Sequence, residues 1–344
     1  MKDKIKKLRR KKTPEIDPGT RVTNDTVAVH REAILKGARR YIYPLQHTKH
    51  RLVIISVSLI VVAVLAFLAY CAYMLYSVKS NSDFMYKVTK VVPFPIARIG
   101  SDFVLYENYL FEVNHYKHYY ETQQELDFES EAGQQQLAEF RKRALEKVVN
   151  DAYIRDIAKE KGISVSETEI DEQIAIVRNQ NRLSGSDEEL EAVLRDYWNW
   201  SIADFRRSLK DQLLSQKVVS ALDTETHSRA NTALAQLQNA KDFAELAKEV
   251  SDEAATKEAG GEFPFLVDKT NRDISPRTAE ALFALQPGQY SQVIDVGYGL
   301  EIVKNLEVKG EKIRAAHIVF NFKDINQYLN DAKDQNKTRS YVSF

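Results

Sequence analysis

Lys241-Asp-Phe-Ala-Glu-Leu-Ala-Lys-Glu-Val250, then Ser251-Asp-Glu253, Gly260-Gly261, Phe283-Ala-Leu-Gln-Pro-Gly-Gln-Tyr-Ser291 and Gly297-Tyr-Gly-Leu-Glu-Ile-Val-Lys304 are the runs that decide the fold of the carboxyl-terminal third. The first is a short amphipathic helix and the last reads as a strand. Their order implies an α+β unit in which Phe263, Phe265, Phe283 and Leu285 would supply core side chains whatever else they do.

Toward the amino terminus the strongest signal is hydropathy. No residue from Leu52 to Val78 is charged. At about 1.5 Å per residue such a helix exceeds the roughly 30 Å hydrocarbon core of a bilayer, so one transmembrane helix is expected at 52–78. A cleavable signal peptide would carry an apolar region of roughly 7–15 residues near the start and end in small residues. This run begins after fifty residues and ends in Tyr73-Met-Leu-Tyr76. Residues 1–51 hold 15 Lys/Arg against 5 Asp/Glu, leaving 34 against 44 elsewhere, so the balanced total of 49 against 49 conceals two opposite halves. Positive flanks stay inside, which predicts a single-pass cell-membrane protein with a basic cytoplasmic tail (1–51) and extracytoplasmic carboxyl-terminal domains. Lys2 to Lys12 lie far enough from the span to touch anionic lipid, ribosome or nothing, and no nucleic-acid partner is expected. The single cysteine, Cys71, excludes an intramolecular disulfide and a thiolate zinc site.

Beyond the span, Val91-Val-Pro-Phe-Pro95 disfavours helix, so residues 79–95 read as an extended linker. About 250 residues follow, enough for two domains with their own cores. The first, 96–222, opens with Ala97-Arg-Ile-Gly-Ser-Asp-Phe-Val-Leu105, a strand, turn and strand. An aromatic helix carries Tyr109, Phe111, Tyr116, Tyr119 and Tyr120, either as a packed face or as part of a groove for unfolded chains. Leu137, Phe140, Ala144, Val148 and Ala152 mark a helix that stops at Gly162. Ser166-Glu-Thr-Glu169 fits a capping box, Ser186-Asp-Glu-Glu189 repeats the start signal, and Ser201-Ile-Ala-Asp204 opens a further amphipathic helix. Together these make a helical domain.

The series Ala97-Arg-Ile-Gly, Ala144 to Gly162-Ile-Ser-Val-Ser166, Asp204-Phe205 and Leu213-Leu-Ser-Gln-Lys217 resembles the amino-terminal chaperone region of the SurA and PrsA foldases. The runs from 241 to 304 resemble a parvulin-type peptidyl-prolyl isomerase domain, placed at 223–322, with 323–344 as a tail. Together the two resemblances cover roughly residues 96–320. They imply α+β architecture with a four-stranded antiparallel sheet, and a membrane-anchored extracytoplasmic folding factor with isomerase and chaperone activity. Its partners would be unfolded or newly translocated proteins and, through one helix, the lipid bilayer. The alternative is an inactive holdase that keeps only the parvulin fold.

Rotation about an X-Pro bond faces a barrier of about 20 kcal/mol, and lowering it needs no nucleophile, metal or cofactor. A site must bind the twisted amide better than the planar one, by gripping the proline ring and matching the carbonyl's altered charge. Carried over motif by motif, the resemblance puts Glu253 at the family's Cys/Asp position and Glu301 at its last-strand His. In the proline pocket Phe263 falls at an apolar position, Ile274 replaces a Met, Thr278 stands where a Phe closes the pocket, and Phe283 is the remaining substrate-binding candidate. Pro264 departs from the family's Gly-Gly-Asp-Leu-Gly pattern.

The opening strand of the family is missing ahead of Ala230, where Asp223-Thr-Glu-Thr-His-Ser-Arg229 is polar and His227 reads as solvated. Lys312-Ile-Arg-Ala-Ala-His-Ile-Val-Phe320 looks like that strand, with His317 at the family's His position. Either it begins a second, shortened domain or it fills the vacant place from the carboxyl-terminal side, joined by a hairpin at Gly310 and setting His317 beside Glu301. Residues 324–337 could form one short helix, with 338–344 loose. No phosphate loop, His-Glu-x-x-His pair or serine elbow occurs. His115 and His118, three apart on a helix, read as structural.

Overall fold

The structure, a computed structural model, describes residues 23–42, 45–181, 183 and 186–344. The expected contacts of Lys2 to Lys12 lie outside these residues. Contacts divide the chain into two units, Met1–Cys71 and Ala72–Phe344. The first contains α1 (Asn24–Ile42) and most of α2 (Leu45–Tyr76). Within α2, the 26 residues Arg51–Tyr76 contain an 18-residue window of mean hydropathy 3.1, and this is the one helix among the described residues long and apolar enough to cross a membrane.

The second unit begins with a correction. Residues 79–95 are not an extended tether: α3 (Asp83–Val91) forms there, started by Ser82, whose hydroxyl accepts from the Met85 N–H. The prolines exclude helix only from 93 onward, where β1 (Pro95–Ile99) and β2 (Asp102–Leu105) form the expected hairpin. Then follow α4 (Tyr106–Gln123), α5 (Glu131–Lys161) ending at Gly162, α6 (Glu167–Gln180), α7 (Asp187–Trp198) and α8 (Ile202–Leu222). Ser166 with Glu169 and Ser201 with Asp204 are reciprocal capping boxes, satisfying two orphan backbone donors at each start. Ile170, Ile174, Leu190, Leu194, Phe205 and Leu209 form a shared core between α6, α7 and α8. The aromatic face of α4 is used for packing: Tyr109 and Phe111 are buried, and Tyr116 and Tyr120 lie against Phe140.

Asp223 is the buried N-cap of α9 (Thr224–Gln238), accepting from the Thr226 N–H and hydroxyl and from the Lys323 N–H. The polar run is therefore a helix start, and His227 is half-buried, its Nε2 3.0 Å from the Ser220 carbonyl oxygen, rather than solvated. After α10 (Phe243–Val250), α11 (Ala254–Lys257) and α12 (Pro276–Ala284) come β3 (Ile294–Asp295), β4 (Gly299–Lys309) and β5 (Lys312–Asn321). The strands make an antiparallel sheet in the order β3-β4-β5.

β5 pairs with β4 along its length, from Gly299↔Asn321 to Lys309↔Lys312, across a two-residue turn in which Gly310 takes φ 64°. Residues 312–320 thus lie beside 299–306, as the vacant-place arrangement required. The sheet has three strands, not the expected four. Along the other edge of β5 run residues 261–267, which make only the isolated bridges Glu262↔Ala316 and Val267↔Ile313. Between them five residues on this side are spanned by three on β5, so the register shifts and no continuous ladder forms.

Strand alternation buries both faces of β4 and β5. Leu300, Ile302, Ala316, Ile318 and Phe320 pack under α9 and α10, while Val303, Ile313 and Ala315 pack with Phe263, Val267, Ile274 and α12. Glu301 and His317 belong by period to the second face.

The carboxyl-terminal tail is also a correction. After α13 (Ile325–Gln335), β6 (Thr338–Ser340) pairs with β1, giving the sheet β2-β1-β6. The Tyr153 hydroxyl donates to the Asn336 carbonyl oxygen and lies 2.9 Å from the Thr338 hydroxyl, Val342 is buried, and Phe344 stacks on Tyr109 at 5.0 Å. The unpaired edge of β1 and the Tyr109 ring supply partners that local sequence does not reveal.

Candidate functional site

Glu301 reaches the α12 face of the sheet only 2 % exposed, and a carboxylate so buried requires partners. Thr278, on α12 and 1 % exposed, donates its hydroxyl to Glu301 Oε2 at 2.6 Å. Tyr298, just before β4, donates its phenol to Oε1 at 3.0 Å. His317 Nδ1 stands 3.8 Å from Oε1, beyond a hydrogen bond but within ion-pair reach, and has no other partner. Burial works to raise the Glu301 pKa, but His317, Thr278 and Tyr298 outweigh it and hold the carboxyl below its ordinary range. It is ionised at neutral pH. The Tyr298 phenol is pushed up by burial and by that carboxylate.

His317 is fixed from its other side. Its Nε2 lies 3.0 Å from the Thr256 hydroxyl, and its ring sits 4.1 Å from the Phe263 ring. Its backbone N–H donates to the Gly261 carbonyl oxygen at 2.8 Å. Gly261 has φ 81°, and a Cβ there would meet the His317 carbonyl oxygen at 2.1 Å, so this approach requires glycine.

Glu253 arrives by a separate route. The Ser251 hydroxyl accepts from the Val319 N–H at 3.1 Å and the Asp252 N–H donates to the Val319 carbonyl oxygen at 2.8 Å, docking this turn on β5. Half-buried Glu253 follows as the N-cap of α11, its charge contributing to the raised Tyr298 pKa.

The structure therefore brings Glu301, His317, Thr278 and Phe263 into one cluster, with Ile274 in the apolar core that Phe263 also joins. Phe283 packs on the edge of that core beneath the Lys269 ammonium and faces a separate shallow depression with Pro276, Ala279 and Glu280. Sequence reading missed Tyr298 and Thr256. Nothing in their spacing marks them, because one lies at a strand mouth and the other is 61 residues from its partner. The two departures from the family pattern also prove to be coupled: the Thr at 278 and the Glu at 301 are hydrogen-bonded to each other.

Tyr298, 55 % exposed, and Ile274 also line a cleft of about 800 Å³ whose opposite wall is formed by Gln173, Ile176, Leu213 and Gln216 of α6 and α8. Glu301, His317, Thr278 and Phe263 do not line the cleft; they lie buried on the Tyr298 and Ile274 side of it. Chemically the cluster holds an ionised carboxylate, an imidazole and two hydroxyls beside the Phe263 ring, all buried, with the Tyr298 phenol as its link to the cleft.

Residues 45–219 match the SurA-like N-terminal domain family, and residues 213–307 match the PPIC-type PPIASE domain family. The second match stops short of β5, the strand that falls out of the family's sequential order. The chain is 30 % identical over 104 residues to foldase protein PrsA 3 of Bacillus anthracis, covering 30 % of this chain and 35 % of that protein. It is 28 % identical over 177 residues to foldase protein PrsA of Caldanaerobacter subterraneus subsp. tengcongensis, covering 47 % and 55 %. The chain thus spans about half or less of the curated relatives it matches. The crystal structure of foldase protein PrsA from Streptococcus pneumoniae is similar at 22 % identity, over 56 % of this chain and 76 % of that one, with a TM-score of 0.18, and no inference rests on it.

Proposed function

We propose a function from one premise: the chain belongs to the SurA/PrsA-like parvulin foldases. It isomerises X-Pro bonds in unfolded or newly translocated proteins on the extracytoplasmic side of the cell membrane, held there by α2 with its amino terminus in the cytoplasm. Residues 96–222 hold the client and residues 223–322 carry the reaction, while 323–344 tie back onto the helical part.

The observation that carries this reading is the buried Glu301–His317 pair set against the Phe263 ring. An amide twisted out of plane loses resonance, and its oxygen carries less negative charge than in the planar form. An ionised carboxylate nearby therefore disfavours the planar state relative to the twisted one. Glu301 supplies that charge, His317 and Glu253 complete the polar cluster, and Phe263, Ile274, Thr278 and Phe283 take the proline side. Relief of only a few kcal/mol of the roughly 20 kcal/mol barrier changes the rate by orders of magnitude.

One observation favours the holdase alternative. Thr278 spends its hydroxyl on Glu301 and offers no ring to close the proline pocket. A protease-coupled prolyl isomerisation assay on residues 72–344 separates the two. Catalysis predicts a rate above buffer that falls on Glu253→Gln or His317→Ala. No rate, together with suppressed aggregation of an unfolded client, would leave only the holdase. The fragment begins at 72 because Leu75 and Tyr76 pack into this unit.

A further inference from the structure

α3 turns an unusual face outward. Its inner side is Met85, 1 % exposed, and Thr89, 3 % exposed, whereas Phe84 is 55 % and Val91 83 % exposed. Phe84, half-buried Val88 and Val91 follow i, i+4, i+7 spacing, so they form one apolar stripe, with exposed Lys87 alongside and Lys90 over the Tyr86 ring. An aromatic and a valine facing solvent while a threonine is buried calls for a partner.

The location of α3 identifies that partner. Tyr76, the last residue of α2, donates its hydroxyl to the Pro95 carbonyl oxygen at 2.6 Å, and the Tyr106 hydroxyl donates to the Leu75 carbonyl oxygen at 2.7 Å. The Tyr76 and Tyr106 rings meet edge to face at 5.7 Å. Residues 77–94 are thus a loop closed at both ends against the last turn of α2. α3, about 14 Å long at 1.5 Å per residue, cannot leave that neighbourhood. Tyr73, 61 % exposed one turn earlier, already has the amphipathic ring that favours a bilayer interface.

We propose that the outer face of α3 lies in the headgroup region of an anionic bilayer, with Phe84, Val88 and Val91 entering the acyl boundary and Lys87 and Lys90 meeting lipid phosphates. Lys79, Lys87 and Lys90 outnumber Asp83 in this loop, the sign that anionic lipid selects. The inference rests on the proposal that α2 spans a membrane. It adds that the folded unit is seated on the surface instead of hanging from a tether.

The test uses the full chain with Cys71→Ala and Val91→Cys, labelled with an environment-sensitive fluorophore and reconstituted into phosphatidylcholine vesicles with or without phosphatidylglycerol. Lipid-borne quenchers are included, and Val308→Cys on the β4–β5 hairpin is the control. We expect blue-shifted, quenched emission at 91 that is stronger with phosphatidylglycerol, none at 308, and loss of the lipid dependence on Lys87→Glu with Lys90→Glu. Equal quenching in both vesicles, or water-like emission at 91 in protein that co-floats with the vesicles, overturns the proposal alone. Protein that fails to co-float overturns the membrane reading and this proposal together.

Discussion

Thr278→Val tests whether the Thr278–Glu301 bond organises the site. The substitution keeps the volume at a position 1 % exposed and deletes the hydroxyl that donates to Glu301 Oε2 at 2.6 Å. A hydrogen bond to a charged group contributes about 2 kcal/mol, and its loss leaves part of a buried carboxylate unsatisfied. About 2 kcal/mol corresponds to roughly thirtyfold less protection of the slowly exchanging amides of β4 and β5. Hydrogen exchange on residues 72–344 reads this locally, without averaging over the helical part. The effect must also follow pH. The folded pKa of Glu301 lies below the ordinary value of a glutamate, so its stabilisation is complete above that ordinary value and lost as pH falls through the folded pKa. Thr278→Val raises that folded pKa, so its cost should be full at pH 7 and shrink as pH falls through the folded pKa. In a Glu301→Gln background the same substitution should cost less than about 0.5 kcal/mol. Equal costs in the two backgrounds, or less than threefold lost protection, would refute the claim that these residues act as a pair.

Gly261→Ala should cost about 3 kcal/mol or more and displace His317, since the new Cβ has no room at 2.1 Å from a backbone oxygen; a calorimetric scan and the isomerisation rate check it together. Deleting residues 338–344 removes β6, buried Val342 and the Phe344–Tyr109 stack, about 3 kcal/mol of local stability, and should speed hydrogen exchange in β1 while leaving β4 unchanged. His115, pushed down to about 4 from 6.5 chiefly by burial, is neutral when folded. The unfolded chain binds a proton there first, so His115 destabilises the helical part progressively between about pH 6.5 and 4. Denaturant titrations of the His115→Gln variant should show a flatter stability profile over that interval.

Signals that act within one or two turns were readable before any coordinates. The uncharged run at 52–78 marks a helix, and Arg51–Tyr76 is long and apolar enough to cross a membrane. Ser166 with Glu169 and Ser201 with Asp204 announce helix starts because each cap satisfies donors three residues away. The polar turn at Gly310 between two apolar strands made the return of 312–320 along 299–306 one of two readings, and the pairing of β5 with β4 decides for it. Pro264 was legible only as a departure from the family pattern; that residues 261–267 meet β5 at two isolated bridges, leaving three strands, was not legible from it.

What the sequence by itself determined, then, was the order of elements, the apolar run, the helix starts and which residue types fall at the positions of the parvulin pattern. Only the tertiary structure decided that Thr278 and Glu301 are partners, that Tyr298 and Thr256 complete the cluster, that α3 is pinned beside the end of α2, and that the last residues fold back onto β1. The physical reason is range. Caps and periodic faces are fixed by neighbours along the chain, whereas a hydrogen bond across 23 residues from α12 to β4, or across 185 from Tyr153 to Thr338, leaves no periodic trace. Such bonds form because buried polar groups must be satisfied by whatever the packing of the two sheets brings within reach.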